Sequence, residues 1–317
     1  MKKNLLQSAI FMLLLALGGI ILPAMATAAN DPLVSTEWLA KNLQAKDLVI
    51  IDVRTETNYG VGHIPGSVNM EYNGWQPQDE ARSCQLMPPP DVFTKMMQAL
   101  GVNESSHVVI YDHGNSISDA SKGGTALWVL KTMGHQHVSY LDGGFTKWTF
   151  EGRDIDNVKP TPAAGNFTAK LNTGKVASLD DVKNKLNDKN MVFVDARSPE
   201  QHFGVEKRSG VKRFGHIPRS VPLPADYLTN AGANRAPATI KSREQLEQII
   251  KGAGLPMDKN REIIVYCNSC QLAGLEYLVL HEILGYKNVK VYDGSMLEYA
   301  AMEELPLVKF AWGHVTQ

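Results

Sequence analysis

Cys267 closes the apolar run Ile263-Ile264-Val265-Tyr266 and is followed by Asn268-Ser269-Cys270-Gln271-Leu272, after which helical spacing sets in. A short apolar run of this kind reads as a buried strand, so the cysteine stands at a strand-to-helix turn. The free N–H groups of the first helical turn and the positive end of the helix dipole favour thiolate over thiol at such a place. The thiolate is the nucleophilic form of cysteine. Lowering a thiol from about 8.5 to about 6.5 corresponds to about 2.7 kcal/mol of thiolate stabilisation. The expectation is a depressed Cys267 pKa and a covalent intermediate on its sulfur.

Cys270 opens a second chemistry. Cys267-Asn268-Ser269-Cys270 is a C-x-x-C, the spacing of a dithiol–disulfide couple. Cys270 is therefore a candidate redox partner that could close a disulfide with Cys267 and require a reductant to reopen it. The competing reading makes Cys270 a small packing residue. No metal is expected, because two thiols without a nearby His-x3-His do not complete a zinc site. A phosphatase-type loop would need an arginine, and Ala273 and Gly274 supply no charge. Cys84 lies beside Pro88-Pro89-Pro90 with no partner by sequence. His135 and His137 form a His-x-His before a strand and are expected at the surface.

The elements that must position Cys267 occur twice. Ser35 and Ser178 each open a helix, Ser178 with a capping-box acid at Asp181. Seventeen residues after each serine an apolar run ends in Asp-x-Arg, Asp52-Val53-Arg54 and Asp195-Ala196-Arg197. Gly-His-Ile-Pro follows at Gly62 and at Gly215, then Ser67-Val68 and Ser220-Val221. Val108-Val109-Ile110-Tyr111-Asp112 answers Ile263-Ile264-Val265-Tyr266-Cys267, and Asp142-Gly143 answers Asp293-Gly294. So many ordered matches mean a duplication, with Asp112 at the nucleophile position of the first copy. Apolar strands alternating with helical patterns predict α/β units built on parallel sheets. The expected divisions are a first domain over 33–151, a Pro/Gly-bearing linker over 152–175, a catalytic domain over 176–308 and a tail over 309–317. His63 and His216 recur in both copies, which points to turn architecture. Arg197 could face the loop of Cys267, and the basic insertion Lys207, Arg208, Lys212 and Arg213 precedes a turn near the expected cleft.

Residues 1–29 read as a cleavable signal peptide. Lys2 and Lys3 precede an apolar stretch centred on Ala9–Leu22, closed by Pro23 and the small residues Ala24-Met25-Ala26-Thr27-Ala28-Ala29. Export to a bacterial periplasm follows as the expectation, with membrane contact only if the segment stays uncleaved. Lys+Arg and Asp+Glu number 32 and 33 over the 317 residues, which leaves no basic excess for nucleic-acid binding. Three cysteines are too few for a disulfide scaffold.

Taken together, the paired Asp-x-Arg and Gly-His-Ile-Pro motifs, the strand-ending Cys267 and the run Gly285–Gly294 resemble the tandem rhodanese family of two-domain sulfurtransferases. The likeness spans about Leu33 to Val308. It implies two doubly wound α/β domains with central, mainly parallel sheets, an inactive first domain and an active site between the domains. It also implies a persulfide on Cys267, cradled by N–H groups of the loop Cys267–Leu272, and no cofactor. The implied partners are a small sulfur-containing anion such as thiosulfate as donor, a thiol or cyanide as acceptor, and a periplasmic reductant if Cys270 takes part. Asn268 and Ser269 are neutral where thiosulfate-using members often carry cations, and Ser269 is closer to mercaptopyruvate-using members. Cys270 replaces a usual glycine, Leu272 a usual Thr or Arg, and Gln201 a usual anion-binding arginine. Arg197 and Gln201 remain the implied substrate-binding positions, and 3-mercaptopyruvate stands beside thiosulfate as donor.

Overall fold

Two five-stranded sheets organise the chain. The computed structural model describes residues 31–230 and 236–310, so the expected leader and most of the expected tail lie outside the described residues. The first unit runs β1 (Leu33–Val34), α1 (Thr36–Asn42), β2 (Leu48–Asp52), α2 (Glu56–Val61), β3 (Val68–Asn69) and α3 (Tyr72–Trp75). A hairpin of β4 (Gln78–Asp79) and β5 (Cys84–Gln85) leads into α4 (Pro90–Ala99), β6 (His107–Tyr111), α5 (Ile117–Thr132), β7 (Val138–Leu141) and α6 (Gly144–Phe150). The second unit opens with β8 (Val176–Ala177), α7 (Leu179–Lys185), β9 (Met191–Asp195), α8 (Pro199–Phe203) and β10 (Val221–Pro222). Its hairpin, β11 (Thr229–Asn230) and β12 (Thr239–Ile240), precedes α9 (Arg243–Gly252), β13 (Glu262–Tyr266), α10 (Gln271–Tyr277), β14 (Asn288–Tyr292) and α11 (Ser295–Tyr299). The sheet orders, β1-β7-β6-β2-β3 and β8-β14-β13-β9-β10, are the same topology repeated, and the pairs within both are parallel.

The local signals behave as their chemistry requires. Ser35 Oγ accepts the Trp38 N–H, and Ser178 with Asp181 forms a complete capping box. Each Asp-x-Arg closes on itself. Arg54 Nη2 lies 2.6 Å from Asp52 and donates to Gly62 O at 2.8 Å. Arg197 Nη2 lies 2.7 Å from Asp195 and donates to Gly215 O at 2.9 Å. The buried ion pair thus fixes the first residue of each Gly-His-Ile-Pro. Tyr111 and Tyr266 hold the same turns, their hydroxyls accepting the N–H of Ile64 and Ile217, both at 3.2 Å. His63 and His216 then form backbone bridges to Asp156 and Val308, the architectural role their recurrence suggested. The Gly152–Lys175 segment is laid along the first unit, with Phe167 buried and its N–H on Val102 O at 3.1 Å.

Strand alternation splits the core in three. Val109 and Tyr111 face an outer cluster of the first unit, and Ile264 and Tyr266 an outer cluster of the second. Val108, Ile110, Ile263, Val265 and Cys267 all face one shared inner core. That core is joined where α5 packs on α10 at glycines. A Cβ on Gly274 would fall 2.5 Å from Thr125 Cα, and one on Gly124 would fall 2.8 Å from Leu275 Cα. Beyond α10 the helix widens into a π-helical stretch, Leu278–Ile283, of which Leu278, Val279 and Leu280 are buried.

Gly274→Ala is therefore expected to force the helices apart and cost about 1–3 kcal/mol. Gly252→Ala, with no atom near the added methyl, should be neutral or stabilise by up to about 1 kcal/mol. Urea midpoints for the two variants measure the contrast; equal midpoints would show that the glycine contact does not control helix approach.

Candidate active site

The inner-face register of β13 carries Cys267 to the end of the strand, and α11 takes hold of the loop from the neighbouring strand. Met296 N donates to Cys267 O at 3.0 Å and Leu297 N to Asn268 O at 2.9 Å. Ser295 fixes the loop from inside. Its hydroxyl accepts the N–H groups of Cys267 and Cys270, each at 3.2 Å, and donates to Tyr292 O at 2.8 Å. Ser295 adopts φ +49°, a left-handed backbone that favours glycine. The N–H groups of Ala273, Ser269 and Leu272 converge on the Cys267 sulfur.

The thiol itself is a correction. Cys267 is almost fully buried, and burial pushes its thiol up from the ordinary value. The three N–H groups and the Arg208 charge pull the other way without prevailing. Sequence reasoning counted the donors and the helix terminus but not the desolvation that accompanies them.

The flanking residues sort differently from expectation. Gln201 reaches the loop: its Oε1 accepts Asn268 Nδ2–H at 2.7 Å. Arg197 is held in the frame beside the loop. It is buried to 1 % exposure and bound to Asp195 and the Gly215 carbonyl. Burial opposes the Asp195 charge, but Arg197 and His202 hold that carboxyl well below the usual range. Within the basic insertion, Arg208 is the residue at the loop, its Nη1 donating to Ser269 Oγ at 2.7 Å. Arg213 is instead spent on the carbonyls of Ala300, Met302 and Leu305, and Lys212 is exposed. Gln271 and Leu272 stay partly exposed, with Gln271 Nε2 on Ser118 O of α5 at 3.0 Å.

Cys270 is engaged with Asp293. It sits at φ +70°, fully buried, with its thiol hydrogen-bonded to Asp293. Burial pushes Asp293 up to about 7, against the Met87 N–H, the Gln76 amide and the Cys270 thiol that favour its charge. Two of those donors belong to the first unit, Gln76 Nε2 at 3.2 Å and Met87 N at 3.0 Å. Cys267 and Cys270 are free thiols. Cys84 is buried in β5, and burial pushes its thiol up to about 12. His135, expected at the surface, is buried and stacked on Phe167; His137 is exposed.

The first copy repeats the frame without the nucleophile. Phe145 N donates to Asp112 O at 2.9 Å, as Met296 N does to Cys267 O. Asp112 is buried, which pushes its carboxyl up to about 7. Asp142 accepts the Ile240 N–H of the second unit at 2.8 Å, the mirror of Met87 on Asp293. Ser295 was missed from sequence, although its counterpart Gly144 (φ +52°) marked the position. Among the described residues no group of three or more His, Cys, Asp or Glu is arranged to hold a metal ion.

Comparison with known proteins agrees with this frame. The rhodanese-like domain model matches residues 35–151 and 178–302. A Saccharopolyspora erythraea protein provisionally named thiosulfate sulfurtransferase is 32% identical over 286 residues, covering 88% of this chain and 96% of that protein. The 3-mercaptopyruvate sulfurtransferase of Escherichia coli K12 is 31% identical over 287 residues, covering 86% and 96%. The crystal structure of SseA, a 3-mercaptopyruvate sulfotransferase of Escherichia coli with the rhodanese fold, superposes with a TM-score of 0.71 at 27% identity over 84% of this chain and 98% of that one. With both halves matched in sequence and in fold, the chain belongs to the rhodanese-like family and carries its domain twice.

Proposed function

We propose that the protein is a sulfurtransferase that carries sulfane sulfur on Cys267. The observation that carries this reading is the convergence of the Ala273, Ser269 and Leu272 N–H groups on one buried thiol. The Cys267 thiol loses its proton, and the thiolate attacks the outer sulfur of a donor such as thiosulfate. A new S–S bond forms, the donor S–S bond breaks, and sulfite leaves with the electron pair. The same N–H groups hold the charge of the persulfide sulfur, as oxyanion-hole donors hold a developing oxyanion. A thiolate or cyanide then attacks the outer sulfur and Cys267 departs as thiolate, which closes a double-displacement cycle. Relatives named for thiosulfate and for 3-mercaptopyruvate both support sulfur transfer, so either donor fits the reading.

Arg208 supplies the positive charge that Gln201 lacks. It is tethered to Ser269 beside the nucleophile and its charge favours the thiolate. The Cys270–Asp293 contact supports a packing role for Cys270 over a dithiol cycle. Residues 1–29 support export to the periplasm by their charge, apolar and small-residue order.

Intact-mass spectrometry of the chain isolated from cells tests both claims together. A mature N-terminus after Ala29 is expected, with a gain of one sulfur on incubation with thiosulfate or 3-mercaptopyruvate. Cys267→Ser should abolish that gain and all turnover; retained turnover would remove Cys267 from the mechanism. Alkylation of resting Cys267 by iodoacetamide follows the thiolate fraction. Because the folded thiol is pushed up, the rate should be slow at neutral pH and rise only above the ordinary thiol range, and Arg208→Gln should move the rise higher still. A rate already saturated at neutral pH would contradict the buried-thiol assignment. Arg208→Gln should also raise the donor KM by about fivefold at low salt, an effect of roughly 1 kcal/mol. That increase should vanish near 1 M salt, where the screening length is about 3 Å; a salt-independent change would place Arg208 outside anion capture.

A further inference from the structure

The first unit keeps an open cavity where the second has its nucleophile. It encloses about 350 Å³, and Asp112, Asn58 and Thr55 line it. Asp112 follows β6 as Cys267 follows β13. Asn58 and Gln201 stand four residues after their Asp-x-Arg arginines, and Thr55 and Ser198 cap the equivalent helices α2 and α8. The cavity is thus the counterpart of the Cys267 site, emptied of its thiol.

Asp112 is 1 % exposed and bounds this space. Glycines flank its carboxylate on two sides: a Cβ on Gly123 would fall 2.5 Å from Oδ2, and one on Gly144 would fall 3.0 Å from Oδ1. Among the described residues neither oxygen has a hydrogen-bond partner. The Gly114 N–H and the Tyr140 hydroxyl lie near enough to favour its charge but fall short of bonding it. A buried carboxylate is retained at little cost only where donors reach it, and the open side from which one could come is the cavity.

The surrounding charges set the class of that donor. Asp119 and Glu71 line the cavity beside Asp112, against Lys122 and Arg54. Arg54 is already neutralised by Asp52 at 2.6 Å. Lys122 stands 3.8 Å from Asp119, at the limit of an ion pair. The balance is acidic, so anions of the kind that suit Cys267 are repelled. Among the described residues no group of three or more His, Cys, Asp or Glu is arranged for a metal ion, which leaves an N–H cation. The amides of Asn58, Asn73 and Asn115 suit a hydroxylated body. We propose that the vacated site of the first unit binds a small hydrophilic primary amine, with its ammonium on Asp112 and its hydroxyls among these amides. The inference is independent of the sulfur-transfer reading, because it draws on no residue of the Cys267 loop.

Ligand-observed NMR titration of the full chain near pH 7 tests it with two matched pairs, serinol against glycerol and glucosamine against glucose. Within each pair an ammonium replaces a hydroxyl. At least one amine is expected to bind about tenfold or more tightly than its alcohol, the order contributed by a hydrogen bond between charged groups. Asp112→Asn keeps the side-chain shape and should abolish the preference. Lys122→Met, at a partly exposed position, should instead strengthen it about threefold at low salt, because a competing cation is gone; a merely structural cavity would not tighten. Cys267→Ser should keep the preference, which holds the binding apart from the second unit's site. The proposal is overturned if neither amine is preferred over its alcohol, or if the preference survives Asp112→Asn. A preference weakened in Lys122→Met or lost in Cys267→Ser overturns it equally.

Discussion

Asp293 is a buried carboxylate that its own unit cannot satisfy. The Cys270 thiol reaches it from the Cys267 loop, and the remaining donors, Gln76 Nε2 and Met87 N, come from the first unit. Buried carboxylates persist only where such donors are supplied. Asp142 reverses the dependence by accepting Ile240 N from the second unit. The two hairpins that follow α3 and β10 therefore act as exchanged straps. Each carries main-chain donors across the interface to the other unit's Asp-Gly turn. Loop, strap and inner core are consequences of one requirement, that neither aspartate be left alone.

From this frame the chemistry of the loop follows. Ser295 gathers the Cys267 and Cys270 N–H groups from behind, which leaves the Ser269, Leu272 and Ala273 N–H groups free for the sulfur. Two left-handed non-glycine residues, Cys270 and Ser295, are held in the process. Such conformations cost of order 1–3 kcal/mol each and persist where the surroundings determine them. Here the surroundings are the Asp293 contact for Cys270 and the three hydrogen bonds of its hydroxyl for Ser295. The same enclosure that brings N–H groups to Cys267 also removes water from it, which pushes the thiol up despite those donors.

Much of this was legible in the residues. The helix caps, the parallel strands, the duplication and Asp112 at the nucleophile position were written in local patterns, because capping and strand burial are short-range. Gln201 was singled out only by the family resemblance, as the position of a usual anion-binding arginine, and its bond to Asn268 became visible in the fold. The pairing of Arg197 with Asp195 was not legible, because a buried ion pair and a substrate-binding arginine look alike along a chain. Only the position of Asp195 across the turn distinguishes them. Arg208 and Arg213 differ in role for a similar reason: which of them reaches Ser269 is set by how the insertion folds back on α11. The burial of Cys84 and His135 was hidden because each is covered by a segment distant in sequence. Ser295 was visible only by comparing Asp142-Gly143-Gly144 with Asp293-Gly294-Ser295.

The exchanged straps also bear on how such a chain diverges after duplication. Once each copy contributes donors to a carboxylate in the other, the two are bound by a ratchet. Loss of either copy would leave a carboxyl of the other without its donor from across the interface, so the two halves depend on each other. The first copy, with Asp112 where the second has Cys267, is held to the same shape. Gln76, Met87 and Asp142 thus answer a structural requirement set by the other half of the chain.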